Sequence, residues 1–137
     1  MNMEKLTLEK DIKVFCITAT SFPEGIMEAH EKIHALVPFK KERRFFGISR
    51  PENKGGIVYK AAAEELQEGE AEKLNCEPFI IPKGEYISTI VLNYPKELQA
   101  ISKAFDKLLT HPGLDPNGYC VEWYLNEKDV QCMIRLK

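Results

Sequence analysis

The sequence repeats itself at a spacing of 72 residues, and this duplication restricts the possible folds more than any other feature. A shift of 72 places Ser21-Phe22-Pro23 on Asn93-Tyr94-Pro95. The same shift places Ile26, Ala29, Ile33 and Leu36 on Leu98, Ile101, Phe105 and Leu108. Those four apolar positions keep the period of a helix that buries one face. In the first copy, Ser21 and Glu24 have the spacing of a capping box, Pro23 suits a first turn, and Pro38 stops the helix. In the second, Asn93 caps, Pro95 opens and His111-Pro112-Gly113 stops it.

β-branched and aromatic runs flank both helices. IKVFCITAT (12–20) precedes the first, and RRFFGIS (43–49) and GGIVYKAA (55–62) follow it across the turn RPENKGG. EPFIIP (77–82) and GEYISTIVLN (84–93) precede the second helix; GYCVEWYL (118–125) and DVQCMIRL (129–136) follow it as a hairpin closed by NEK. EELQEGEAEKLN (64–75) is acidic and poor in apolar residues; it reads as a helical turn or a loop, with an exposed connection favoured. The expected fold is therefore α+β, with two pseudo-repeated β-α-β-β units at about 10–65 and 77–137 in one domain of 137 residues. Each helix has one apolar stripe, so the economical arrangement is a largely antiparallel, curved sheet with both helices on one face. The opposite face is then open and able to form a pocket.

Composition excludes several classes. A net charge of −2, with KKERR (40–44) as the main basic cluster, is a poor match for phosphate neutralisation. KKERR reads as a solvated loop, and no direct nucleic-acid binding is expected. No apolar run approaches the roughly 20 residues of a membrane span. MNMEKLTLEK lacks the apolar core of a signal peptide. Cys16, Cys76, Cys120 and Cys132 form no C-x-x-C and read as small buried hydrophobes in a reducing compartment. These readings predict a cytoplasmic protein without a membrane partner.

His30-Glu31-Lys32-Ile33-His34 matches the H-E-x-x-H pattern of zinc peptidases. A catalytic zinc needs a third protein ligand and an open position. The metzincin extension would require Gly and His where the chain has Val37 and Lys40. On a helical wheel His30 and His34 lie about 40° and 80° from Ile26, on the flank of the apolar stripe, and Glu31 lies on the far side at about 140°. The duplicated positions are Ser102, Lys103 and Asp106. The motif is read as part of a packing helix; no metal and no cofactor are expected.

GYCVEWYL is the strongest candidate for chemistry. Alternation puts Cys120, Glu122 and Tyr124 on one strand face, and Tyr119, Val121, Trp123 and Leu125 on the other. A carboxylate in an apolar strand must be exposed, paired or shifted in pKa. On an open sheet face beside aromatic rings, it suits a lipophilic cation or acts as a general base toward water. Tyr59, Tyr86 and Phe46 are further aromatic candidates, the tyrosines being favoured because a hydroxyl can orient a ligand.

The duplicated order, FPEGI at the first helix, FIIPKGEYISTIVLNYP at the second copy and the closing YCVEWYL…VQCMIRL hairpin resemble the GyrI-like effector-binding domains. These occur alone or as ligand-sensing halves of bacterial transcription activators. The resemblance spans about residue 10 to the end and implies a hydrophobic cleft between the pseudo-repeats. It places the family's glutamate, in an E-x-Y strand, on Glu122 with Tyr124. In the regulators that glutamate pairs with cationic drug-like effectors; in some standalone members it is thought to hydrolyse reactive electrophiles.

With no helix-turn-helix before residue 10, a standalone small-molecule binder is expected. Its ligand would be lipophilic, cations included, held by Glu122, Tyr124, Tyr59, Tyr86, Phe46 and Trp123. The alternatives are a hydrolase with Glu122 as general base, and a protein-interaction module using the acidic 64–75 segment.

Overall fold

Successive side chains of a strand alternate between its two faces, and Ile12–Thr18 buries both, with Phe15 on one and Ile12, Val14 and Cys16 on the other. The computed structural model describes residues 3–37, 42–51, 56–97 and 99–137. Pro38, Lys40, part of the RPENKGG turn and Leu98 lie outside the described residues. The elements are β1 (Glu4–Leu8), β2 (Ile12–Thr18), α1 (Ile26–Leu36), β3 (Phe45–Pro51), β4 (Ile57–Glu64), α2 (Glu70–Lys73), β5 (Glu77–Ile81), β6 (Gly84–Val91), α3 (Ala100–Leu108), β7 (Cys120–Tyr124) and β8 (Val130–Arg135). All the strand pairings described are antiparallel, and the fold is α+β with the β-α-β-β order present twice. Among the described residues no helix is long and apolar enough to cross a membrane.

The chain divides into two compact units. The first is Asp11–Ile81; the second is Pro82–Lys137 with the N-terminal segment up to Lys10. In the first unit the strand order is β5-β2-β4-β3. Phe15 of β2 and Phe45 of β3 both lie opposite Ala63 of β4. The small central alanine, between two rings, leaves room for Ile33 of α1, which is wholly buried with Ala29 against this rung. Burying side chains of this size contributes roughly 1.5–3 kcal/mol each. Leu36, expected in the same stripe, is exposed, and Val37 takes its place in the core.

The second unit has the order β1-β6-β8-β7. Helix α3 buries Ala104, Phe105 and Leu108 against Ile87, Val91, Val130, Cys132 and Ile134. Strand β1 was not apparent from sequence. It is a five-residue edge strand on β6 in which only Leu8 is buried, so its pattern is short and weak.

Both helices start later than their caps suggest. α1 begins at Ile26 after Gly25, and no side chain caps it. The preceding turn closes through the Gly25 N–H to the Ser21 carbonyl (3.1 Å), and a Cβ at 25 would lie 2.7 Å from that oxygen. That turn displaces the expected Ser21–Glu24 capping box. In the second copy Asn93 adopts a left-handed conformation (φ 55°) and leads into a 3-10 turn at Tyr94–Lys96, with α3 following at Ala100.

Two local expectations are corrected. The 64–75 segment is not simply an exposed connection: it contains the end of β4 and α2, whose Ala71 is buried. Nor is KKERR wholly solvated, because Arg43 is buried and forms a two-pronged pair with Glu70 (3.3 and 3.1 Å) while also donating to the Glu64 carbonyl (2.7 Å). The Arg43 guanidinium also sits 5.7 Å from the Phe15 ring centre. Burial alone would raise the Glu70 pKa, but hydrogen bonds from Arg43 and from the Gln67 and Leu66 amides outweigh it and bring it down to about 2. This carboxylate therefore stabilises the fold fully above pH 4.5, and the contribution is lost as pH falls toward 2. Replacing Glu70 with Ala is expected to cost roughly 2–3 kcal/mol at pH 7, because it strands a buried guanidinium. Urea unfolding at pH 7 and pH 3 checks this, and the gap between variant and wild type should shrink at the lower pH.

Candidate functional site

Three rungs of the second unit face α3. They are Ile87–Ile134–Cys120, Thr89–Cys132–Glu122 and Val91–Val130–Tyr124, read across β6, β8 and β7. Because directly opposed residues share a face, Glu122 lies on the side that carries the α3 core. The expectation that this carboxylate lies on a face free of helices is thereby corrected. The cause is that both faces of β7 are buried: Val121 is 3% exposed on one and Glu122 9% on the other. Alternation separates two such faces without saying which one the helix covers.

The Tyr124 hydroxyl donates a hydrogen bond to Glu122 Oε1. The Tyr94 ring lies over Tyr124 with centroids 5.8 Å apart and planes tilted by 58°. Burial, then the charges of Glu122 and Glu127, hold the Tyr94 hydroxyl above its ordinary pKa. Burial, then Glu122, pushes the Cys120 thiol to about 11; Cys132 is pushed up further by burial, Glu122 and Cys120. Both cysteines are protonated at neutral pH and act as packing groups around the carboxylate.

Tyr94 is held by the β7–β8 turn. Its N–H donates to the Lys128 carbonyl (2.9 Å), and the Asn93 N–H donates to Asp129 Oδ1 (3.2 Å). Asn126 fastens the turn by accepting from the Lys128 and Asp129 amides (2.7 and 2.9 Å). Sequence reading passed over Tyr94, although its place before Pro95, matching Phe22 before Pro23, was a usable signal.

The other candidate side chains are placed differently. In the second unit, Trp123 is half-buried opposite Gln131, on the β7 face away from Glu122. Tyr86 shares that other side of the sheet, 1% exposed, with its hydroxyl donating to the Pro82 carbonyl (2.5 Å). In the first unit, Phe46 is wholly buried on the face opposite α1. Tyr59 is 1% exposed on the α1 face, its hydroxyl 2.7 Å from His30 Nε2. Of the six candidates, Glu122 and Tyr124 are in direct contact.

The HEKIH histidines have other partners. His34 stacks on the Phe45 ring at 4.4 Å, and His30 packs edge-on to Tyr59 at 5.7 Å. Among the described residues no group of three or more His, Cys, Asp or Glu side chains could hold a metal ion.

No protein-family model matches the chain, and no curated protein does. Solved structures do resemble it. An integron cassette protein from the mobile metagenome of Vibrio cholerae superposes with a TM-score of 0.72 at 13% identity, over 98% of this chain and 95% of that one. SAV2435 bound to tetraphenylphosphonium gives 0.71 at 11% identity, over 100% and 94%. A hydrolase from Listeria innocua gives 0.63 at 7% identity, over 98% and 91%. At these identities the likeness is one of fold.

The histidine environment makes a separate prediction. Burial, then the neighbouring His34, lowers the His30 pKa to about 4, and burial lowers that of His34. Neutral His30 favours the fold fully above pH 6.5, and that stability is lost as pH falls through 6.5 toward 4. The loss attributable to His30 is at most about 3 kcal/mol. Unfolding free energies measured from pH 7.5 to 4 should decline in wild type and decline less in His30→Gln.

Proposed function

We propose that this chain binds a lipophilic small-molecule cation, with Glu122 as counter-charge and Tyr124 and Tyr94 as aromatic walls. The observation that carries the reading is a carboxylate 9% exposed, oriented by a tyrosine hydroxyl and flanked by a second tyrosine ring. A charge held in apolar surroundings is costly unless compensated, so a cation arriving there is favoured twice. It neutralises the carboxylate, and each ring face it meets adds cation–π attraction of about 0.5–2 kcal/mol. The two thiols beside Glu122 are protonated, so neither supplies negative charge at this rung. The similarly folded SAV2435, bound to tetraphenylphosphonium, supports this class of ligand.

A hydrolase reading draws on the same pair. Tyr124 orients the Glu122 carboxylate, which as a general base would take a proton from water attacking an electrophile. The fold likeness to a hydrolase from Listeria innocua favours it. The interaction-module reading gains no such support, because Glu64 and Glu70 of the acidic segment are engaged by Arg44 and Arg43.

Calorimetric titration with tetraphenylphosphonium tests the binding reading. Wild type should bind, Glu122→Gln should weaken binding about tenfold or more, and neutral triphenylphosphine oxide should lose less between the two proteins. Equal cation affinity in wild type and Glu122→Gln contradicts the proposal. Electrophile turnover that disappears in Glu122→Gln would select the hydrolase reading.

A further inference from the structure

The HEKIH helix belongs to an arrangement that the Glu122 site does not use. In the first unit three rungs face α1, continuing from Phe15–Ala63–Phe45 through Ile17–Ala61–Gly47 to the Tyr59–Ser49 pair. They correspond, rung for rung, to the three that face α3 in the second unit. Gly47–Ala61 stands where Glu122–Cys132 stands in the second unit, and Ser49–Tyr59 stands where Tyr124–Val130 does. Each unit thus places one tyrosine on its third rung, on opposite strands of the equivalent pair.

The likeness extends above the sheet. Tyr94 covers Tyr124, and the duplicated residue Phe22 covers Tyr59 with ring centroids 6.1 Å apart. Tyr124 is bonded to an ionisable side chain, Glu122, and Tyr59 is bonded to another, His30 (2.7 Å). The two clusters differ in charge. Gly47 replaces the carboxylate, and burial keeps His30 neutral at pH 7. The Phe22 ring is 39% exposed over a tyrosine that is sealed beneath it, so an apolar ring is presented outward.

We propose that Phe22, Tyr59 and His30 form a second ligand-contact site, in the first unit, which takes an uncharged aromatic group. Its ligand stacks on the exposed Phe22 ring, which Tyr59 supports from beneath while the neutral His30 imidazole is held by the Tyr59 hydroxyl. Among the described residues its rungs carry no carboxylate, so this site has no counterpart of Glu122 and does not share the ligand preference of the Glu122 site. The inference does not depend on whether Glu122 binds a cation.

The test uses neutral N-phenyl-1-naphthylamine as a fluorescent probe and tetraphenylphosphonium as the charged one, on wild type, Phe22→Ala and Glu122→Gln. The neutral probe should brighten with wild type, shift the His30 imidazole resonances and bind Phe22→Ala about fivefold or more weakly. Glu122→Gln should keep its affinity for the neutral probe, and Phe22→Ala should keep that for the cation. The proposal is overturned if wild type does not bind the neutral probe, if the His30 resonances stay still, if Phe22→Ala binds it within about twofold of wild type, or if Glu122→Gln weakens it as much as Phe22→Ala does. Unchanged cation binding in Glu122→Gln would remove the first proposal and leave this one standing.

Discussion

Each repeated β-α-β-β element supplies three strands, and the open backbone edge of the first is the constraint on which the structure depends. An unpaired edge exposes a row of N–H and C=O groups. Here β5 covers the edge of β2, and β1 covers the edge of β6. The covering strands have different origins in the chain: β1 precedes the first unit yet pairs within the second, whereas β5 ends the first unit and pairs within it. Each covering strand completes a four-strand ladder in its unit and fixes the register of the rungs that the helices cover.

Once the rungs are fixed, chemistry follows from what each unit places on them. Equivalent positions hold Gly47 with Ala61 in one unit and Glu122 with Cys132 in the other. The small pair leaves the first unit's central rung without charge. The carboxylate in the second accepts a hydrogen bond from Tyr124 and has the protonated thiols of Cys120 and Cys132 near it. Burial of a charge is unfavourable without compensation, and the Tyr124 hydroxyl supplies part of that compensation. The ring pair of Tyr94 and Tyr124 supplies the aromatic surface beside it.

Much of the fold was legible because a packing helix must keep its apolar period. Ala29 with Ile101, and Ile33 with Phe105, line up at 72 residues and pack in their respective cores. Strand β1 was not legible, since its outer residues meet solvent and only Leu8 is buried. The four-residue helix α2 was legible as one of two alternatives and not as the favoured one, because the Arg43–Glu70 pair beside it is a tertiary contact that neither stretch of sequence betrays. Of the candidate site, the Glu122–Tyr124 alternation was readable from residue order. The covered face was not, because Val121 and Met133 make the other face equally apolar. Tyr94 and His30 were hidden for a similar reason, each being brought to its tyrosine partner by the turn or helix that carries it.

The central claim is that Glu122 is the counter-charge of a cationic ligand, and a crystal structure of the protein soaked with tetraphenylphosphonium tests it most directly. The account predicts the cation within about 6 Å of the Tyr94 or Tyr124 ring, with Glu122 as the nearest carboxylate. Density for the cation elsewhere on the molecule, with the Glu122 rung still closed under α3, would contradict it.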